Sequence, residues 1–141
     1  MTWHVRRWLA VPMILGLALV TAGCSSDDEG TVAVTVADFS VTPDPDSAPA
    51  GEVTFDITND AGQTHEFVVF KTDLAPDQLP TDENGDVDEA GAGVEHVDEV
   101  EDIEGGSTKS LTVNLDAGSY VLICNLPGHY AQGMHAGFSV S

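Results

Sequence analysis

Cations are almost missing from this chain: 4 Lys plus Arg stand against 24 Asp plus Glu in 141 residues, a formal charge of −20. Both Arg, Arg6 and Arg7, and both Trp, Trp3 and Trp8, lie near the N-terminus. From Cys24 onward Lys71 and Lys109 are the only cations, and the charge becomes −22. Binding a phosphate backbone or an anionic headgroup depends on clustered Lys and Arg that displace counterions, so nucleic acid is excluded as a partner. Cysteine is equally scarce. With Cys24 and Cys124 alone, a disulfide framework is ruled out. The nucleophile elbow, P-loop and dinucleotide fingerprints are absent, and the carboxylates form no evident acid and base pair. Hydrophobic residues still make up 42%, and their clean alternation argues for a folded core despite a charge imbalance typical of disorder. The length is that of one domain.

Residues 1–23 read as an export signal. Arg6 and Arg7 supply the positive start, Leu9 to Val20 is almost wholly apolar, and Thr21, Ala22 and Gly23 are small. A permanent membrane helix fits less well, because the run is short of about 20 apolar residues and contains Pro12. Thr21-Ala22-Gly23-Cys24 resembles a bacterial lipobox, with Thr21 where Leu is usual, which makes Cys24 the candidate lipidation site. Residues 24–30 then form a short acidic tether. Membrane contact is expected through that anchor alone, at the outer face of the cytoplasmic membrane, or the protein is periplasmic or extracellular if unlipidated.

In the remainder, 31–141, Val32, Val34 and Val36 alternate with Ala33 and Thr35. Val53 to Ile57 and Leu111 to Leu115 alternate more cleanly, which is the period of a strand. Phe67 to Phe70, Tyr120 to Cys124 and Phe138 to Val140 add apolar runs, with Pro and Gly between them. No convincing amphipathic helix appears. An all-β chain with six or more short strands implies a two-sheet antiparallel β-sandwich carrying loops at its ends. An insertion at about 73–104 holds 13 acids and no Lys or Arg. Asp82, Asn84, Asp86 and Asp88 approach a calcium loop, but Val87 replaces the required Gly and Gly93 the closing Glu, so a solvated acidic surface is the better reading. His96 is expected on a short strand there, exposed or satisfied by a partner.

Near the C-terminus Cys124, His129 and Met134 form C-x4-H-x4-M on one loop after a strand. Thiolate, imidazole and thioether together suit copper, and a trigonal His2Cys site with a long axial Met is the blue copper arrangement. His65, between a polar turn and the strand Phe67 to Phe70, is the candidate for the second imidazole. Chance places His and Met at these offsets from one of two Cys with a probability of about 0.0015, or about 0.015 if other spacings are admitted. Blander roles exist for each residue taken alone: Cys124 as an inert buried thiol, Met134 as a core filler, His65 as a strand-edge residue. Zinc rarely uses a thioether, and a binuclear copper centre needs a second Cys in the loop. His135 reads as a surface neighbour.

With these residues the sequence resembles the cupredoxins, the small blue copper proteins, and among them those with the longer Cys-to-His spacing. The likeness spans Val32 to Val140, and its specific part is His65 with the loop from Cys124 to Met134. It implies a Greek-key sandwich, one mononuclear type 1 copper ligated by His65, Cys124, His129 and Met134, and one-electron transfer rather than enzymatic activity. It further implies His129 as the electron port, within an apolar patch of Leu126, Pro127, Tyr130 and Ala131. Glu66 stands where the family often has Asn or Ser, and its backbone N–H is the remaining donor to the Cys124 sulfur. A monomer is expected, acting with redox proteins that present basic faces, through attraction that weakens with salt. Adaptation to high salt would produce the same acidity. Copper storage or delivery is the alternative function. It calls for exchangeable Met-rich or His-rich tracts, whereas this chain offers Met134 and scattered His.

Overall fold

The computed structural model describes residues 30–141. The expected export signal, the lipidation site Cys24 and the tether up to Glu29 lie outside the described residues. Nine strands follow in order: β1 (Thr31–Ala37), β2 (Ser40–Asp44), β3 (Ser47–Ala48), β4 (Gly51–Asn59), β5 (His65–Lys71), β6 (Glu95–Ile103), β7 (Thr108–Leu115), β8 (Gly118–Ile123) and β9 (His135–Val140). They form two sheets, ordered β2-β1-β4-β7 and β3-β9-β8-β5-β6. The only helical turn among the described residues is the 3-10 turn Tyr130–Gln132.

Alternation sets the first sheet. Val32, Val34 and Val36 of β1, Val53, Phe55 and Ile57 of β4, and Leu111, Val113 and Leu115 of β7 all point inward and are buried, while the intervening Thr and Asp residues face water. Thr54 and Thr112, directly opposed, share a 2.9 Å hydroxyl hydrogen bond on that wet face. The core between the sheets closes around Phe55, whose ring centroid lies 5.3 Å from those of both Phe67 and Phe138.

Two features depart from a purely antiparallel sandwich. β1 pairs parallel with β4, and β3 parallel with β9. β1 reaches β4 only through β2 and β3, so no tight hairpin forces the pair to run opposite ways. The second departure is that β5 and β8 are buried on both faces: Phe67 to Phe70 and Tyr120 to Ile123 are all covered. Val68, Phe70, Val121 and Ile123 face outward from the sandwich and pack with Leu79, Val87 and Tyr130 in a second core. The acidic segment supplies that cover, so its acids are solvated but its apolar residues are structural. Its second half is itself a strand of the sandwich: the strand expected around His96 is β6, at the edge of the five-stranded sheet.

The carboxylates that approach a calcium loop are engaged locally. Asp82 Oδ1 accepts the N–H groups of Asn84 at 2.8 Å and Asp86 at 3.1 Å, closing its own turn. Asp86 Oδ1 instead accepts the Gly128 N–H at 2.7 Å, on the loop between β8 and β9.

Candidate metal centre

The loop from Cys124 to Met134 is the connection of the β8–β9 hairpin. Its base continues the ladder one step past the Ile123–His135 pair, because the Cys124 N–H donates to the Met134 C=O at 3.1 Å. Inside it, the His129 N–H donates to the Leu126 C=O at 2.9 Å and the Met134 N–H to the His129 C=O at 3.2 Å. Gly133, at φ 108°, ends the 3-10 turn in the left-handed region that favours glycine. The loop's backbone thus fixes where its Cys, His and Met sit. His65 arrives from the other side as the first residue of β5, opposite Ile103 of β6.

Sandwich and loop together bring three donor atoms to one point. His65 Nδ1 lies 3.2 Å from His129 Nδ1, and the Cys124 Sγ lies 3.7 Å and 3.4 Å from the same two nitrogens. A point equidistant from all three is about 2.0 Å from each, close to the lengths of about 2.0–2.1 Å (nitrogen) and about 2.3 Å (sulfur) typical of zinc, a first-row ion. Met134 is buried in the same core as Cys124. One thiolate, two imidazoles and a thioether make the donor set of a type 1 copper site, and this chain's residues fit it.

His65, Cys124 and Met134 are sealed from solvent, whereas His129 is partly exposed. Burial has opposite effects on the two titratable ligands inside. The Cys124 thiol is pushed above its usual value, chiefly by desolvation, with the backbone N–H groups of Glu66 and Leu126 pulling the other way. The Glu66 N–H to Sγ distance is 3.5 Å, so the donor expected from the backbone at this position is in place. His65 is held below its usual value by desolvation and by the charge of His129, with Asp38 opposing. Its Nε2 is buried without a hydrogen-bond partner, and Asp38 Oδ1 stands 3.7 Å from it.

Around the site the structure alters the anticipated surface. Tyr130 is buried, its hydroxyl donating to the Pro76 C=O at 2.8 Å and accepting the Leu79 N–H at 3.0 Å, so it belongs to no contact patch. Phe39, unnoticed in the sequence, is 58% exposed on the turn between β1 and β2, with its carbonyl beside Gly133. Glu89, His96 and Glu99 make a second cluster of possible ligands. It is half-exposed and has no sulfur donor. His135 packs at a tilt against Tyr130, 5.2 Å between ring centroids, a neighbour of the ligand loop.

The family model described as a cupredoxin-like domain matches residues 9–134. Solved structures share the fold. Dithionite-reduced auracyanin from Roseiflexus castenholzii superposes at a TM-score of 0.57 with 21% identity, over 79% of this chain and 97% of that one. Auracyanin A, a "blue" copper protein from Chloroflexus aurantiacus, gives 0.53 and 22%, over 79% and 100%. Rusticyanin from Thiobacillus ferrooxidans gives 0.52 and 23%, over 79% and 78%. No curated protein sequence matches this one.

Proposed function

Since this chain belongs to the cupredoxin-like family, we propose that it is an exported carrier of single electrons, holding one copper ion between His65, Cys124, His129 and Met134. The observation that carries this reading is the convergence of two Nδ1 atoms and one Sγ within 3.7 Å of one another in a buried pocket. Copper supplies the one-electron couple, Cu(II) to Cu(I). The protein's part is to hold the ligands still: Cys124 and Met134 are tied through the hairpin base, and His65 is fixed in a strand. Four protein ligands leave no open position for a substrate, which supports a carrier over an enzyme.

His129 is the partly exposed member of the set and serves as the route for the electron. Pro127 and Ala131 beside it, with Phe39 nearby, are exposed and offer an apolar contact area. The charge of −22 from residue 24 onward favours redox partners with basic faces, approached faster at low salt. Complete burial of His65 and Cys124 supports a resident metal over one passed on. Export by residues 1–23 and a lipid on Cys24 complete the reading, and mass spectrometry of the mature protein tests both.

The decisive experiment is an optical and electron paramagnetic resonance spectrum of the copper-loaded chain from residue 24 onward, with Cys24→Ser. An intense visible band that disappears in Cys124→Ser is expected. A colourless adduct would mean carboxylate-bound copper and would refute the assignment.

A further inference from the structure

We infer that Asp38 is a positioning residue for the metal centre: its carboxylate is the acceptor for the Nε2–H of His65, fixing that ring's tautomer and placing a fixed negative charge behind one ligand. This deepens the proposed copper site and is not required by it.

If His65 Nδ1 is to face Cys124 and His129 as an unprotonated donor, the proton of the neutral ring must sit on Nε2. That atom is buried and has no hydrogen-bond partner. A buried N–H without an acceptor is costly, and the Asp38 carboxylate oxygen Oδ1 stands 3.7 Å away. Metal-bound imidazoles commonly donate their second N–H to a carboxylate, carbonyl or water. About 0.5–1 Å of movement by the half-exposed carboxylate completes the contact.

The carboxylate is held in place for this task. Asp38 lies just after β1, and its Oδ1 accepts the Gln63 side-chain amide at 2.8 Å. Gln63 is itself anchored, since its backbone carbonyl accepts the Asn59 Nδ2–H at 2.8 Å. Asn59 is fully buried: its other Nδ2–H goes to the Ile103 C=O at 2.7 Å and its Oδ1 accepts the Ala61 N–H at 2.9 Å. A chain therefore runs from the end of β4 through the 60–63 turn to Asp38, and it faces the one ring nitrogen in the site that needs an acceptor. Neither described lysine takes this carboxylate: Lys71 pairs with Asp116 and Lys109 donates to the Glu101 carbonyl.

Two effects follow, and different substitutions separate them. Asp38→Asn keeps an acceptor and removes the charge, whereas Asp38→Ala removes both. In the copper-free full chain at a pH where the ring is neutral, nitrogen NMR should show His65 as the Nε2–H tautomer in the parent and in Asp38→Asn, and as a mixture in Asp38→Ala. In the copper-loaded chain Asp38→Asn should favour the reduced form by about 3- to 10-fold, because a half-exposed charge next to the ligand stabilises Cu(II). That is about 30–60 mV for one electron. Asp38→Glu should restore most of the parent value. Asp46→Asn, which removes the same charge by the β3–β9 end of the sandwich, should change the potential less than 2-fold. An Nδ1–H tautomer in the parent, or equal shifts in Asp38→Asn and Asp46→Asn, overturns the inference. Lack of a visible copper band would refute the metal assignment instead, and the tautomer measurement would still judge Asp38.

Discussion

Copper uptake by this protein should release one proton per metal ion, and the structure says which. Cys124 must bind as a thiolate, yet burial holds its thiol above the usual cysteine range, so at neutral pH the copper-free site carries S–H. His65 is displaced the other way, below the usual histidine value, and is already neutral, so it yields no proton. Between about pH 7.5 and 8.5 the affinity for Cu(I) should rise about tenfold per pH unit, worth about 1.4 kcal/mol. The sign follows from the cysteine alone: raising pH lowers the cost of making the thiolate, and the slope persists until the raised pKa is reached. A competition titration against a coloured Cu(I) chelator measures it, and calorimetry in two buffers of different ionisation enthalpy counts the proton independently. Affinity independent of pH in that window would refute the reasoning. So would the same slope in Cys124→Ser, since a group other than Cys124 would then be releasing the proton.

Three further outcomes follow from groups near the site. Tyr130→Phe strips the buried Leu79 N–H and the Pro76 C=O of their shared partner and should cost about 2 kcal/mol in urea unfolding at unchanged m; a loss under about 0.5 kcal/mol would show that the contact is not maintained in solution. Asn59→Ala leaves the carbonyls of Gln63 and Ile103 and the N–H of Ala61 without their side-chain partner and should cost about 2–3 kcal/mol, with an unchanged midpoint as the contrary result. The copper-free protein should lose stability as pH falls below about 6.5, because the unfolded chain takes up its histidine proton before the folded His65 does, and the loss should level off beneath the lowered folded pKa. Comparing unfolding midpoints of the parent and His65→Gln isolates that part, and identical pH profiles would contradict it.

The ligand loop was legible in the sequence because Cys124, His129 and Met134 lie on one short stretch of chain and their spacing is set by a single hairpin connection. His65 could be inferred from its place at the mouth of an apolar run, since a sandwich delivers strand ends to common edges. Period-two alternation in β1, β4 and β7 likewise announced a sheet with one wet face. The parallel pairs β1–β4 and β3–β9 were not legible, as direction there depends on which sheet the intervening strands join. Nor was Asp38 visible: its meaning depends on a nitrogen 27 positions away in sequence, met only through a turn held by Asn59 and Gln63. Tyr130 was misplaced on the surface because its neighbours Pro127 and Ala131 are indeed exposed, and only the folded acidic segment shows what covers it.

That segment deserves a different description from the one its composition invites. Thirteen acids between residues 73 and 104 look like an inert solvated insert, yet its first part is bonded to the ligand loop at several points. Asn125 Oδ1 accepts the Val87 N–H at 2.7 Å, and Asn125 Nδ2 donates to the Val87 carbonyl and to Glu89 Oε1, each at 3.1 Å. Asp86 takes the Gly128 N–H, and Tyr130 bridges Pro76 and Leu79. These contacts flank Cys124 and His129 in the chain, and the apolar side chains Leu79 and Val87 seat the same segment on the outer face of β5 and β8. An electron carrier gains speed when its ligands need not rearrange between oxidation states, and a loop braced from outside as well as from the core has little freedom to do so. Asp86 and Glu89 take part in that bracing, whereas Asp73, Asp77, Asp82, Glu83 and Asp88 of the same segment are exposed, so most of its charge stays at the solvent surface and away from the ligands.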